Sequence, residues 1–156
     1  MRNKRSHLCR AKDSRKKTWV KGYVWQGLEC SYIIPLTSGV TYDDITQKLT
    51  SKAIRIDPST LCDCTDACDY YDTDIYEHDI IFNPESPNQL FLIRQVSCQF
   101  VAYAIYPEIG LVDDDYIEIH KLKDFLNRKY EIVGNEFDDA KLLKGFNLDE
   151  VNWHVR

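Results

Sequence analysis

Short runs of apolar and β-branched residues, separated by glycine, proline and polar clusters, mark this chain as a succession of strands. Thr18–Trp25 (TWVKGYVW) alternates unevenly but is dense in aromatic and β-branched residues, which reads as a strand. With LCRAK before it and the polar DSRKK between, residues 8–25 read as a hairpin. CSYIIPL is a further strand, closed by Pro35 and the turn-like TSG, and AIRID is another, ended by Pro58. IYEHDIIF (Ile75–Phe82) reads as one strand, and NPESPN after it is a loop. QLFLIRQVSCQFVAYAIY is almost continuously apolar and too long for one typical strand. It divides into two, with the break between Gln95 and Gln99. DDDYIEIH, carrying Tyr116, Ile117 and Ile119, and YEIVG, stopped by Gly134, complete the strand candidates.

Helical periodicity is weaker. In TYDDITQKLTSK, Tyr42, Ile45 and Leu49 stand three and four apart behind Thr41 as an N-cap, so the segment is a short helix or a loop. KLKDFLNRKY offers one or two turns through Leu122, Phe125 and Leu126. DDAKLLKG is the clearest helix, with acids first, Lys144 in the last turn and Gly145 behind it, as the helix dipole and C-cap preference require. The expected fold is mainly β (or β-rich α+β): a small SH3-like barrel or twisted antiparallel sheet with one or two short helices.

Length and composition fit this picture. A chain of 156 residues accommodates one domain, here drawn over residues 1–144 with a tail at 145–156. Its 44% hydrophobic and 12% aromatic content can build a core, and 29% charged residues argue against a membrane protein. IIPL, DIIF and FVAYAIY are each far shorter than the roughly 20 residues that span a bilayer. The N-terminus is basic without an apolar segment behind it, so no signal peptide is read. The expectation is a cytoplasmic protein whose six cysteines stay thiols.

The net charge of −5 conceals an asymmetry. Residues 1–21 hold nine of the 20 Lys and Arg (Arg2, Lys4, Arg5, Arg10, Lys12, Arg15, Lys16, Lys17, Lys21) against Asp13 alone, a formal +8. The other 135 residues carry 11 basic and 24 acidic groups, a formal −13. Such a basic arm suits phosphate, and nucleic acid is one candidate partner. The plainer reading is a solvated hairpin lying against its own acidic body or a neighbouring subunit.

The sharpest chemical feature is DPSTLCDCTDACDYYDTDIYEHDI (Asp57–Ile80), where Cys62, Cys64 and Cys68 stand among eight acidic residues and a histidine. Cys62, Cys64, Cys68 and His78 would make a Cys3His zinc set, yet the second ligand pair of a usual structural site is absent. The alternative is small buried thiols in a hairpin. A redox centre is disfavoured, because there is no C-x-x-C and nearby carboxylates raise thiol pKa. Asp69, Asp72, Asp74, Glu77 and Asp79 lack the central glycine and closing glutamate of a calcium loop. His7, His78, His120 and His154 are scattered, and no nucleophile–base constellation, phosphate loop or zinc-protease motif appears. No catalytic residue and no cofactor is assigned, and the chain is not expected to be an enzyme.

Thr60–Ile81 (TLCDCTDACDYYDTDIYEHDII) resembles the signature hairpin of the YopX family of phage and prophage proteins. That signature runs Thr-Gly-Leu, a polar Asp-Lys-Asn-Gly turn, then Ile-Tyr-Glu-Gly-Asp-Ile-Val; the matching residues are Thr65, Asp69, Ile75, Tyr76, Glu77, Asp79 and Ile80. YEIVGNEFDDAKLL is similar to the family's closing Val-Ile-Gly-Asn segment, and KTWVKGYV with SYIIP and IDPST resembles its N-terminal Trp-x-x-Gly-Tyr pattern. The three blocks span about residues 8–143. Several positions depart from the pattern. Asp66 stands for the glycine of Thr-Gly-Leu, Tyr71-Asp72 for Asn-Gly, and His78 for the glycine of Glu-Gly-Asp, while Cys64 and Cys68 replace tyrosine and lysine. The resemblance implies an SH3-like barrel element, a phage or prophage origin, a host-cell cytoplasmic setting and oligomerisation. It implies no catalytic residues. The function expected is an interaction or scaffold module that binds a protein partner or itself. Nucleic-acid binding through residues 2–21 and zinc binding through the cysteine segment are the alternatives. Trp19, Tyr23, Trp25, Tyr71 and Tyr76 could furnish a binding surface or fill the core.

Overall fold

A computed structural model describes residues 8–26, 30–35, 53–86, 89–96, 98–106, 111–118 and 130–144, for 111–118 the backbone alone. The helices expected over 41–52 and 121–129 and the tail at 145–156 lie outside these residues. The described residues are mainly β, as the alternation predicts, and form antiparallel sheets that do not close into a barrel. No helix among them is long and apolar enough to cross a membrane. The chain divides into two compact units, Met1–Cys64 and Thr65–Arg156.

In the first unit, β1 (Leu8–Lys12), β2 (Trp19–Gln26), β3 (Ser31–Pro35) and β4 (Ile54–Arg55) follow one another across the sheet, and the start of β5 (Cys62–Cys68) lies on the other side of β1. The hairpin over 8–25 forms as expected, with Lys12 opposite Trp19 and Leu8 opposite Tyr23. Its tip is organised by Asp13, whose Oδ1 accepts from the backbone N–H of Arg15 at 2.8 Å and of Lys16 at 3.1 Å. Those two N–H groups, Lys16 first, hold the Asp13 carboxyl below the usual carboxylate range. AIRID shrinks to the two-residue β4 plus a bridge between Ile56 and Asp13. One face carries the core, Ala11, Ile33 and Ile56 with Val20, Val24 and Leu61 packed against them.

Gly22 is needed where it stands. A Cβ there would fall on the Ile34 carbonyl oxygen, because β2 and β3 approach with Gly22 opposite Pro35.

The second unit begins with the rest of β5, turns through residues 69–73, and returns as β6 (Asp74–Tyr76). Its main sheet has the order β10 (Leu111–Glu118), β9 (Gln99–Tyr106), β8 (Leu90–Val96), β7 (Asp79–Phe82), β11 (Glu131–Asn135). The long apolar run splits at the expected place, and its continuous hydrophobicity has a simple cause. Both faces of β7–β9 are covered, which removes the polar half of the alternation. Ile81, Phe91, Ile93, Ala102 and Ala104 form one cluster with Ala67, Ile75 and Tyr130. Ile80, Leu92 and Ile105 form another, capped by Leu143. The acidic run Asp113–Asp115 falls where the register of β10 against β9 shifts.

Two expectations are corrected. IYEHDIIF is not one strand: the chain reverses at Glu77 and His78, leaving β6 beside β5 and carrying β7 into the other sheet. Asp79, fully buried, fixes this reversal by accepting the Tyr76 backbone N–H on Oδ2 at 2.8 Å. DDAKLLKG does not make an α-helix within the described residues. It forms a single 3-10 turn, Ala140–Leu143, whose N-cap Asp139 makes no side-chain cap bond to it. That carboxylate instead accepts from the Asn135 backbone N–H at 3.1 Å, so the first N–H groups of the turn go without a side-chain cap from Asp139.

Replacing Gly22 by alanine is expected to cost about 3 kcal/mol or more, because backbone rather than a flexible side chain must move. Chemical denaturation followed by tryptophan fluorescence, which reports Trp19 and Trp25 of this unit, checks this.

Candidate functional site

The cysteine-rich acidic segment resolves into structural parts. Cys62 is buried and its Sγ donates to the Thr60 carbonyl at 3.3 Å, while the Cys68 Sγ donates to Asp74 Oδ1 at 3.6 Å. Among the described residues no group of three or more His, Cys, Asp or Glu is placed to hold a metal ion. The acids serve the backbone instead. Asp69 Oδ1 accepts from the N–H of Tyr71 at 2.9 Å and of Thr73 at 2.8 Å, closing the β5–β6 turn. Glu77 accepts from the Gln95 N–H at 3.1 Å, and Asp57 caps the 3-10 turn Pro58–Thr60 through Ser59. A carboxylate occupied by turn N–H groups is a structural element before it is a ligand. Cys9, which sequence reasoning did not single out, lies across the sheet from Asp63 and donates to its Oδ1 at 3.0 Å. Burial first, and then the Asp63 carboxylate, push the Cys9 thiol far above its ordinary range.

His78 lies in an ionic cluster rather than with the cysteines. Its Nδ1 is 2.8 Å from Glu136 Oε2 and 2.6 Å from an Arg94 guanidinium nitrogen. These contacts ask opposite roles of one ring nitrogen, so it donates to Glu136 or accepts from Arg94, never both. Arg94 also meets Glu136 directly, at 2.9 and 3.0 Å. Burial acts to raise the Glu136 pKa, but the His78 hydrogen bond and the Arg94 charge outweigh it and hold the carboxyl below its ordinary value. Phe137 packs edge-on to the His78 ring at 5.1 Å. Neither Arg94 nor Glu136 has a sequence signal, since they lie 16 and 58 residues from His78.

The first unit carries a different surface. In an antiparallel sheet, opposed residues share a face and successive residues alternate. The register therefore puts Arg10 with Lys21, Lys12 with Trp19, Tyr23 with Ile34, Trp25 with Tyr32, and Tyr32 with Arg55 on the face opposite the core. Lys21, Trp25 and Arg55 are exposed and the others half-buried. Toward β5 this face closes, with Leu8 and Cys62 buried. Arg10 lies over the Trp19 ring at 4.6 Å and Lys12 at 5.4 Å, so both cations are held by cation–π contact. No acidic residue occupies the described positions of this face in β1–β4.

Of the five aromatics expected to form a surface or a core, Trp25 and Tyr71 are exposed and Tyr76 is completely buried. Trp19 and Tyr23 are half-buried. Arg55 and Tyr32 join the face only through sheet register, which a linear reading does not supply. Of the basic residues expected in the arm, Arg10, Lys12, Arg15, Lys16, Lys17 and Lys21 lie within the described residues, and Lys17 pairs with Asp57 at 3.7 Å. Arg2, Lys4 and Arg5 lie outside them.

No protein-family model matches the chain, and comparison with curated proteins finds no match.

Two outcomes are expected. Glu136→Gln should destabilise the protein by about 1 kcal/mol at neutral pH, because the cluster is partly solvated. A carboxyl with a lowered folded pKa stabilises above its unfolded pKa and loses that contribution as pH falls through the folded value. The difference from wild type should therefore vanish in acid, as urea titrations at several pH values would show. With a small alkylating reagent at neutral pH, exposed Cys98 should react well before Cys9 and Cys62. Peptide mapping that found Cys9 labelled as fast as Cys98 would contradict the assigned environment.

Proposed function

We propose that the chain is a non-enzymatic binding module of phage or prophage type, and that it takes nucleic acid through the basic and aromatic face of its first unit. The observation that carries this is where the charge lies. Residues 1–64 hold twelve Lys and Arg against six Asp and Glu, a formal +6, and residues 65–156 hold eight against nineteen, a formal −11. The division between compact units is thus also a division of charge. Within the positive unit, Arg10, Lys12, Lys21 and Arg55 share one face with Trp19, Trp25 and Tyr32. Basic groups interleaved with aromatics on an open sheet are the composition that binds a phosphate backbone and its bases.

The resemblance to the YopX family is supported by backbone conformation. The three places where that pattern has glycine and this chain does not are Asp66, Asp72 and His78. Their φ values are 60°, 64° and 66°. Only glycine adopts that left-handed region without cost, and Asp, Asn and His are the residues that replace it most readily. Both glycines that the chain keeps from the pattern with described surroundings, Gly22 and Gly134, stand where a Cβ would meet neighbouring atoms. The pattern of glycine and its substitutes therefore follows backbone need. The family's own molecular role is uncharacterised, so the nucleic-acid reading rests on the face and not on the resemblance.

Fluorescence anisotropy with labelled mixed-sequence DNA tests the reading. Four phosphate contacts give a logarithmic salt slope of about −3, so affinity should fall at least about tenfold between roughly 50 and 200 mM salt. Lys21→Glu with Arg55→Glu should weaken binding further and flatten that slope. Absence of binding at the lower salt would remove the proposal.

A further inference from the structure

We infer that the nucleic acid taken by this face is single-stranded, with bases stacking on Trp25 and Tyr32 while the cations around them hold phosphate. The inference rests on the preceding reading and specifies its ligand.

The two aromatic groups of the face are in different states. Trp19 is already engaged, with Arg10 and Lys12 lying over its ring at 4.6 and 5.4 Å. Those contacts orient the two cations and occupy the ring that a base would need. Trp25 is 50% exposed. Tyr32 of β3 opposes it on one side, and the described pairing of β2 with β1 ends two residues earlier, at Tyr23 opposite Leu8. The Tyr32 ring lies 5.5 Å from that of Trp25 at an interplanar angle of 37°, a tilted aromatic pair. Arg55 is the cross-strand neighbour of Tyr32, and Lys21 stands two residues before Tyr23 on the same strand and face. A large, open apolar ring on a face that also carries cations is poorly explained by folding alone, since burial in the core would stabilise it more.

The shape of the face selects the ligand. Duplex DNA is read by an element that enters a groove, usually a helix or a protruding two-stranded ribbon, and its bases are already stacked on one another. The described face offers neither element. Rings lying on a sheet can instead accept the π-face of an unpaired base of any identity, which is worth roughly 1–3 kcal/mol per base. Phosphates would meet Arg10, Lys12, Lys21 and Arg55, so affinity should depend on salt and little on sequence.

The test uses the full chain and labelled oligonucleotides of about 15 residues: oligo-dT, oligo-rU and a blunt mixed-sequence duplex. The single strands are expected to bind at least about tenfold more tightly than the duplex, with quenching of tryptophan fluorescence. Trp25→Ala should reduce single-strand affinity about tenfold and leave the salt slope unchanged, while Trp25→Phe should retain most of it. Lys21→Gln and Arg55→Gln should each reduce the salt slope by about one. The dT and rU arms distinguish DNA from RNA as the source of the strand. Equal affinity for duplex and single strands, with Trp25→Ala indistinguishable from wild type, overturns this inference and leaves the nucleic-acid reading standing. Absence of binding to all three overturns both.

Discussion

The reversal at Tyr76–Asp79 is the constraint on which the second unit depends. The chain must leave the β5–β6 hairpin and start β7 within two residues, which exposes backbone N–H groups inside the core. Asp79, with no exposed surface, answers the Tyr76 N–H with its carboxylate. His78 takes the left-handed conformation at φ 66°, donates its N–H to the Ile93 carbonyl and accepts at its own carbonyl from Glu136. One turn is thereby tied both to β8 and to the segment that follows β11. Ile75 before it and Ile80 and Ile81 after it then enter the two separate hydrophobic clusters. The Asp79 carboxylate and the Tyr76 N–H are both withdrawn from water, and the bond between them offsets part of the desolvation of each.

The same device recurs at each tight corner. Asp13 serves the β1–β2 tip, Asp57 the 3-10 turn after β4, Asp69 the β5–β6 turn, and Asp139 the Asn135 N–H beyond β11. Short strands joined by sharp turns leave many backbone donors without ladder partners, and aspartate is short enough to reach them. This accounts for Asp57, Asp69, Glu77 and Asp79 in the acid-rich segment, each of which accepts from a backbone N–H. A carboxylate acts on a thiol at Cys9, where burial first and then the Asp63 carboxylate favour the neutral form.

Strand existence was legible because it depends on local pattern. The 8–25 hairpin, the break in the long apolar run and the strand at YEIVG all follow from residue type and punctuation. The breaks in that legibility are equally physical. IYEHDIIF reads as continuous because a left-handed histidine leaves no trace in hydrophobicity, although glycine at that position would have signalled a turn. DDAKLLKG carries the right charges for a helix, but Asp139 is drawn to Asn135, and the 3-10 turn Ala140–Leu143 serves to bring Leu143 onto Ile80, Leu92 and Ile105. The basic arm was visible as composition, whereas the face it contributes to was not. Arg55 and Tyr32 reach that face from β4 and β3, and only the strand register places Tyr32 opposite Trp25 and Arg55 opposite Tyr32.

Net charge is a poor guide to what such a chain can hold. A protein at −5 with an isoelectric point near 5.3 looks unsuited to a polyanion. Electrostatic attraction is local, however, because charges beyond about 10 Å are largely screened at 0.1 M salt. What a strand of phosphates meets is one face, and the described positions of β1–β4 on that face carry Arg10, Lys12, Lys21 and Arg55 with no acid among them. The excess of carboxylates belongs to residues 65–156, where the described acids are engaged mainly in turns and in the His78–Arg94–Glu136 cluster. An acidic second unit then has a consequence of its own. It would repel a polyanion, so on the reading we propose binding would be confined to the basic and aromatic face of the first unit.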